Sequence, residues 1–441
     1  MTVRPIKMWM VLLAVLALAA AACTGGGDDA AVAGGDTTPE ADDGEPDVEA
    51  EEGELADGEA DAELEGDPVT LGFVSVFSGR VAMLGATGFK GAQFAAEEIN
   101  EAGGVLDGRP LQIAYKDTAA DPEQAVRLAR EFVLQDDVDF IIDGSSSNEA
   151  FAVSQASSDL DTIVLTTASE ADSLTEPENF QELVFRIARN TQMDGIANAQ
   201  YVSELGLQNW MAISPDYAYG RDCNARFFEA LQELQTDVSV GTQLWPALFE
   251  PDYTPLIQQI VDSNPDAVYS CLWGGDLVAF MQQAAPFGLF DTVEFVTPNV
   301  ADSLVLDTMG DALPEGIHTG SRFAVGSPPT EANEQFDAAY RERFGEGPTN
   351  WSIQAYVAVN MLADALEAVG SVDDTEALTA ELENMELAGS PWGDVQVRGE
   401  DHTLYNYNVR WGTTDPSLDY PVDFTFEADW DQLLEMEGGP G

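Results

Sequence analysis

The 441-residue sequence predicts an α/β protein made of two doubly wound parallel-sheet lobes, and three observations carry that expectation. Residues 69–441 exceed the usual size of a single domain. Their apolar residues alternate between strand and helix spacing from the start. A second set of the same strand–helix units begins near Asp194.

In chain order, residues 71–76 read as a buried strand. Phe89, Ala92, Ala96 and Ile99 then keep helical spacing until Gly103-Gly104 breaks it. Leu111, Ile113 and Tyr115 alternate as a second strand. Asp121-Pro122 is an N-cap and first-turn pair opening a helix through Ala125, Leu128, Ala129 and Phe132. Residues 140–142 and 163–166 read as two more strands. In the second set, strands are expected at 211–214, 238–244, 267–272 and 293–296, with helices at 223–234 and 253–261. Helical segments follow at 331–343 and 352–369, then strands near Val395 and over 405–411. Repeats of this kind imply parallel sheets with a ligand cleft at the carboxyl ends of their strands.

The first residues speak to compartment. Arg4 and Lys7 give a positive start, and residues 8–22 form an uncharged run of fifteen. That run is shorter than the ~20 residues needed to cross the hydrocarbon core, so residues 1–22 read as a signal peptide. It ends Ala20-Ala21-Ala22-Cys23, which resembles the lipobox of bacterial lipoproteins. The resemblance implies a lipid on Cys23 that anchors an exported chain to the cell membrane. Residues 24–67 hold eighteen Asp or Glu and no Lys or Arg, so 23–67 is expected to be a disordered acidic tether. As a flexible coil it would reach roughly 35 Å.

Formal net charge is −63, and beyond residue 67 there remain 62 acidic against 15 basic residues. So much like charge opposes compaction in dilute buffer, whereas at molar salt the Debye length falls to ~3 Å. The composition therefore predicts a salt-dependent fold and a hypersaline source; equal stability in dilute buffer and molar salt would contradict it. A nucleic-acid partner is excluded for want of a basic face.

Several segments together carry a family resemblance: Ser78-Gly79, Gly88-Phe89-Lys90-Gly91-Ala92, Asn100-Glu101-Ala102-Gly103-Gly104-Val105, the stretch 117–126, Tyr219-Gly220 and Asp252-Tyr253-Thr254. In order and spacing they resemble the type I periplasmic binding proteins of the leucine/isoleucine/valine-binding kind, over residues 69–411. The resemblance implies two lobes joined by three crossovers and closing on ligand by hinge motion. The crossovers are expected near 186–191, 316–325 and 390–398. Lobe one then takes 69–189 plus 322–395, and lobe two takes 190–321 plus 396–441. It further implies a monomer that delivers a small polar solute, an amino acid or related amide or carboxylate, to the permease and ATPase of an ABC importer. The alternative is a ligand-sensing lipoprotein that signals to a membrane partner.

Site residues follow where positions match. The resemblance implies that Ser146, Ser147 and Asn148, before a helix, hold a ligand carboxylate, and the chemistry fits because a helix N-terminus favours anions. Either Ser147 or Asn148 would serve equally well as a plain N-cap. Ala168, Ser169 and Glu170 are expected around the ligand's ammonium, a solvated loop acid being the other reading of Glu170. Tyr219 and Trp273 are expected as aromatic walls of the cleft, a core position being the other reading of Trp273. Asn299 stands where the amino-acid receptors carry a glutamate, and its amide offers a donor and an acceptor but no charge. Glu170 or Asp302 is a candidate to compensate, with Phe77 and Phe323 near the cleft mouth. In an exported chain Cys223 and Cys271 are left to pair, if the strands that carry them are neighbours. His318 and His402 share no metal-ligand spacing with the cysteines, and no phosphate-cradling or dinucleotide motif occurs, so neither enzyme, cofactor nor metal is expected.

Overall fold

The computed structural model describes Leu64 and residues 66–437 apart from Arg322. The expected signal peptide, the lipidation at Cys23 and nearly all of the tether lie outside the described residues. Among the described residues, no helix is long and apolar enough to cross a membrane.

β1 (Val69–Ser75) is buried along almost its whole length, as a strand covered on both faces must be. α1 (Ala82–Glu101), β2 (Leu111–Asp117), α2 (Pro122–Leu134), β3 (Phe140–Asp143), α3 (Ser147–Leu160), β4 (Val164–Thr166) and β5 (Val184–Arg186) follow it. Asp121 caps α2, accepting from the N–H groups of Glu123 and Gln124 at 2.8 and 3.1 Å. The second set runs α4 (Thr191–Ser203), β6 (Asn209–Ile213), α5 (Ala218–Leu234), β7 (Ser239–Leu244), α6 (Thr254–Ser263) and β8 (Ala267–Ser270). It continues with α7 (Gly274–Ala284), β9 (Glu294–Thr297), α8 (Ser303–Met309) and β10 (His318–Ser321). The chain closes with α9 (Glu331–Phe344), α10 (Asn350–Val369), α11 (Thr375–Leu382), β11 (Glu386–Ser390), β12 (Gly393–Arg398) and β13 (Thr403–Tyr405). Last come β14 (Arg410–Thr414), β15 (Val422–Glu427) and α12 (Trp430–Glu437).

The described strands form two sheets, ordered β11-β12-β13-β5-β4-β3-β1-β2 and β15-β14-β10-β9-β8-β6-β7. The parallel run β2-β1-β3-β4-β5 of the first recurs as β7-β6-β8-β9-β10 in the second, so each lobe is doubly wound. Each sheet also gains antiparallel strands at one edge, β11 and β12 in the first, β14 and β15 in the second. In such sheets the crevice at the strands' carboxyl ends is where ligands bind.

The chain leaves the first sheet after Arg186 and returns from the second after Ser321. Its third passage differs from the expected 390–398. β12 pairs antiparallel with β13, and Thr403 of β13 sits beside Arg186 of β5, so residues 396–405 belong to the first lobe. The passage is therefore at 406–409, between β13 and β14. The alternation around Val395 marks a strand truthfully but carries no information on which sheet receives it.

α1 and α10 lie against each other so closely that a Cβ on Gly91 would stand 2.0 Å from the Ser352 carbonyl oxygen. Ser352 Oγ donates to the Thr87 carbonyl at 3.0 Å across the same contact, which fixes the first turn of α10 relative to α1. In the second lobe β6 and β8 are neighbours, and Cys223 of α5 is joined to Cys271, just past β8, with Cα atoms 6.5 Å apart.

Candidate functional site

At the carboxyl ends of the two sheets lies a cavity of about 330 Å³, lined by Leu84, Ser146, Ser147, Ala168, Glu170, Tyr217, Tyr219, Trp273 and Trp351. The first lobe supplies its floor from two loops stitched together beneath it. Asp143, ending β3, accepts from Thr167 N–H on its carbonyl at 2.8 Å, and Ser147 Oγ accepts from Ala171 N–H at 3.4 Å. Ser146 is the N-cap of α3, with Glu149 accepting from its N–H at 3.2 Å and its hydroxyl at 2.6 Å. The carboxylate of Glu149 thus already occupies one side of this helix end, which favours anions by its dipole.

Two buried acids underlie the loop. Asp143 takes hydrogen bonds from the Ser145 hydroxyl and, at 2.9 Å, the Ser145 N–H. Burial nevertheless pushes it up to about 7, those two bonds opposing the shift and the nearby charge of Glu149 adding to it. Glu149 is raised as well, again chiefly by burial. An acid raised in the folded state binds more protons folded than unfolded between its ordinary value of 3.8 and about 7. Stability is therefore lost as pH rises through that window. Asp143→Asn is expected to lose less stability than the wild type between those limits, measured by urea unfolding at fixed salt; an identical slope would refute the assignment.

The second lobe supplies an aromatic wall. Trp273, at the N-cap of α7, donates through Nε1 to Tyr217 Oη at 3.0 Å. Tyr217 and Tyr219, at the start of α5, have ring centroids 5.9 Å apart. Trp351, in the first turn of α10, meets Trp273 edge to face at 5.8 Å and 72°. A second cavity of about 340 Å³ adjoins through these two tryptophans and is lined also by Gly274, Pro298, Asn299, Asp302, Phe323 and Asn350.

Of the residues singled out in the sequence, Ser146, Ser147, Ala168, Glu170, Tyr219 and Trp273 meet in the first cavity. Trp273 meets both expectations, lining the cavity and belonging to the buried hydrophobic core. Asn148 is exposed and lines neither cavity, because it follows the N-cap and turns outward on α3. Ser169 is fully buried and lines neither, its hydroxyl without a hydrogen-bond partner among the described residues. Asn299 lines the second cavity with its amide engaged, Nδ2 donating to the Leu272 carbonyl at 2.9 Å and to Tyr219 Oη at 3.2 Å. Asp302 caps α8, accepting from Leu304 N–H at 3.0 Å. Phe323 lines the second cavity, while Phe77 packs with Phe73, Phe89 and Tyr115 instead. Leu84, Tyr217 and Trp351 were not anticipated. Tyr217 had an available signal, standing two residues before Tyr219 at a helix start; Trp351 had none, since it arrives from a helix distant in sequence. No group of His, Cys, Asp or Glu among the described residues is arranged to hold a metal.

A family model for periplasmic binding proteins matches residues 68–409. A Leu/Ile/Val-binding protein homolog 1 of Brucella abortus is 26% identical over 323 residues, 71% of this chain and 81% of its own. The leucine-, isoleucine-, valine-, threonine-, and alanine-binding protein of Pseudomonas aeruginosa is 25% identical over 359 residues, 80% of this chain and 93% of its own. Among solved structures, a solute binding protein of an ABC transporter from Rhodopseudomonas palustris, in complex with 3,4-dihydroxybenzoic acid, superposes with a TM-score of 0.75 at 23% identity, covering 82% of this chain and 96% of that one. The leucine binding protein of Thermotoga maritima gives 0.71 at 20% identity, covering 82% and 99%. At these identities the structures speak to the fold alone.

Proposed function

Because the chain belongs to the periplasmic binding protein family, we propose that it is the substrate-binding component of an ABC importer, closing its two lobes on a small polar solute. Members of this family are binding components of transport systems, not enzymes, and they work outside the cytoplasm. The observation that carries the reading is the cavity whose floor of Ser146, Ser147 and Glu170 faces a wall of Tyr219 and Trp273 from the other lobe. Relatives named for branched-chain amino acids, and a neighbour holding a dihydroxybenzoic acid, support an amino acid or an aromatic acid as the solute class. A ligand carboxylate would be met by the first turn of α3 near Ser147, and the aromatic rings would cover the apolar part.

The test is a thermal-shift screen in molar salt against amino acids, amides and aromatic carboxylates. A solute that binds only the folded form adds ~2.7 kcal/mol at a hundred times its Kd, and the melting temperature must rise with its concentration. If no small molecule shifts it, the reading fails. Anchoring through a lipid on Cys23, and a monomeric state, belong to the same proposal. Cys23→Ser should move the protein from the membrane to the soluble fraction, and retention in the membrane would refute the anchor.

A further inference from the structure

The cleft is aromatic on both lobes and acidic at its floor. Trp351 comes from the first lobe and Trp273, Tyr217 and Tyr219 from the second, the two tryptophans forming a corner at 72°. Of the described residues that line this cavity, Glu170 is the one with an acidic or basic side chain, and it is only 3% exposed. The buried guanidinium of Arg186 lies near enough to Glu170 to feel its charge. Ring faces are the negative side of the aromatic quadrupole, so the cage and the carboxylate both favour a cation.

A primary ammonium would need hydrogen-bond acceptors for its three N–H groups. On the aromatic side Tyr217 Oη already accepts from Trp273 Nε1 and Tyr219 Oη from Asn299 Nδ2, which leaves each phenol one acceptor site, and the indole rings offer none; the other side-chain acceptors, Glu170, Ser146 and Ser147, lie on the floor. The wall suits instead a cation whose charge is spread over methyl groups and which asks for no hydrogen bonds. A ligand of net negative charge is opposed by a chain of formal charge −63, whereas a zwitterion is not.

We propose that the cleft takes a betaine-type zwitterion, a methylated quaternary ammonium that also bears a carboxylate, with its cation caged by Trp273, Trp351, Tyr217 and Tyr219 beside Glu170. This rests on the solute-binding reading above, which supplies the place of the carboxylate at α3.

The test is calorimetric titration of the full-length protein, in molar salt, with glycine betaine and with 3,3-dimethylbutanoate, its isostere with carbon in place of the charged nitrogen. Glycine betaine is expected to bind, with the isostere at least about tenfold weaker because it is uncharged at the cage. Trp273→Leu and Trp351→Leu are each expected to weaken glycine betaine by about tenfold or more, the corresponding Phe variants less. Glu170→Gln should narrow the gap between the two ligands, a change that mere loss of packing would not produce. Equal binding of the isostere overturns the inference. So does binding of leucine or 4-hydroxybenzoate with none of glycine betaine, an outcome that leaves the solute-binding reading standing. Failure of every one of these ligands overturns both.

Discussion

Asp194→Ala is expected to lower the unfolding free energy by about 3–5 kcal/mol, because it strands a buried cation at the first crossover. Arg189 Nη1 meets Asp194 Oδ1 at 2.9 Å, with both side chains almost wholly buried. Asp194 stands in the first turn of α4, where the helix dipole also favours its charge. Among the described residues the Arg189 Nε and Nη2 atoms have no hydrogen-bond partner, so the carboxylate is the main compensation this guanidinium has there. The same guanidinium lies over the Tyr407 ring at 5.5 Å, and Tyr407 stacks on Trp392 and takes a 2.8 Å hydrogen bond from Trp430 Nε1 on its carbonyl. Residues of the first and third passages between the lobes are thereby knotted together. Exposed pairs such as Arg221–Asp216 contribute little and fade with salt, whereas this one is out of reach of screening. The loss should therefore persist in molar salt, measured by urea unfolding. The paired variant Arg189→Met with Asp194→Leu should recover much of it, since apolar residues can replace a buried ion pair at little cost. A single-site loss below about 1 kcal/mol would refute the reading, because that is the range of exposed pairs.

How legible this architecture was depended on length and burial. β1, β3 and the helix opened by Asp121-Pro122 announced themselves, since a buried strand is continuously apolar and a capped helix repeats every 3.6 residues. β5 and β13 are three residues each and show no period; β4 is as short, but Ile163 extends its apolar run. The misplaced third crossover follows directly: with β13 unseen, nothing in the sequence tied β12 to the first sheet. Register and sheet membership arise from contacts between segments far apart in the chain, and Thr403 beside Arg186 is such a contact.

The site divided along the same line. Ser146, Ser147 and Glu170 were legible because each follows within a few residues of a strand's carboxyl end, Ser147 as the first residue of α3, and that is where a doubly wound sheet puts its ligands. Asn148 and Ser169 stand next to them in sequence yet point elsewhere, since a helix turns each residue by about 100° and a loop alternates its faces. Trp351 belongs to a helix that reaches the cleft only because Gly91 lets α10 lie against α1. Half of the aromatic corner thus depends on a packing event that the residues around Trp351 do not disclose.

Replacing Cys223 and Cys271 together by alanine is expected to lower stability by about 2–4 kcal/mol. The bond closes a loop of 48 residues, for which chain-entropy arguments give about 4 kcal/mol, with residual structure in the unfolded chain reducing it. Its surroundings are as consequential as its entropy. Cys223 belongs to α5, which presents Tyr219 one turn earlier, and Cys271 lies two residues before Trp273. Beside it Phe227 stacks on Tyr269 at 3.7 Å, and Tyr269 Oη accepts from Asn198 Nδ2 at 2.7 Å, so helix, sheet and disulfide form one block. Two walls of the cleft are thereby held at fixed separation before any ligand arrives. The double variant should unfold at lower urea concentration in molar salt and also bind solute more weakly, because part of the binding free energy then goes into ordering the wall. Thiol titration of the exported wild type provides the check. Two free thiols after denaturation would show that the bond does not form, and the stability difference should then vanish.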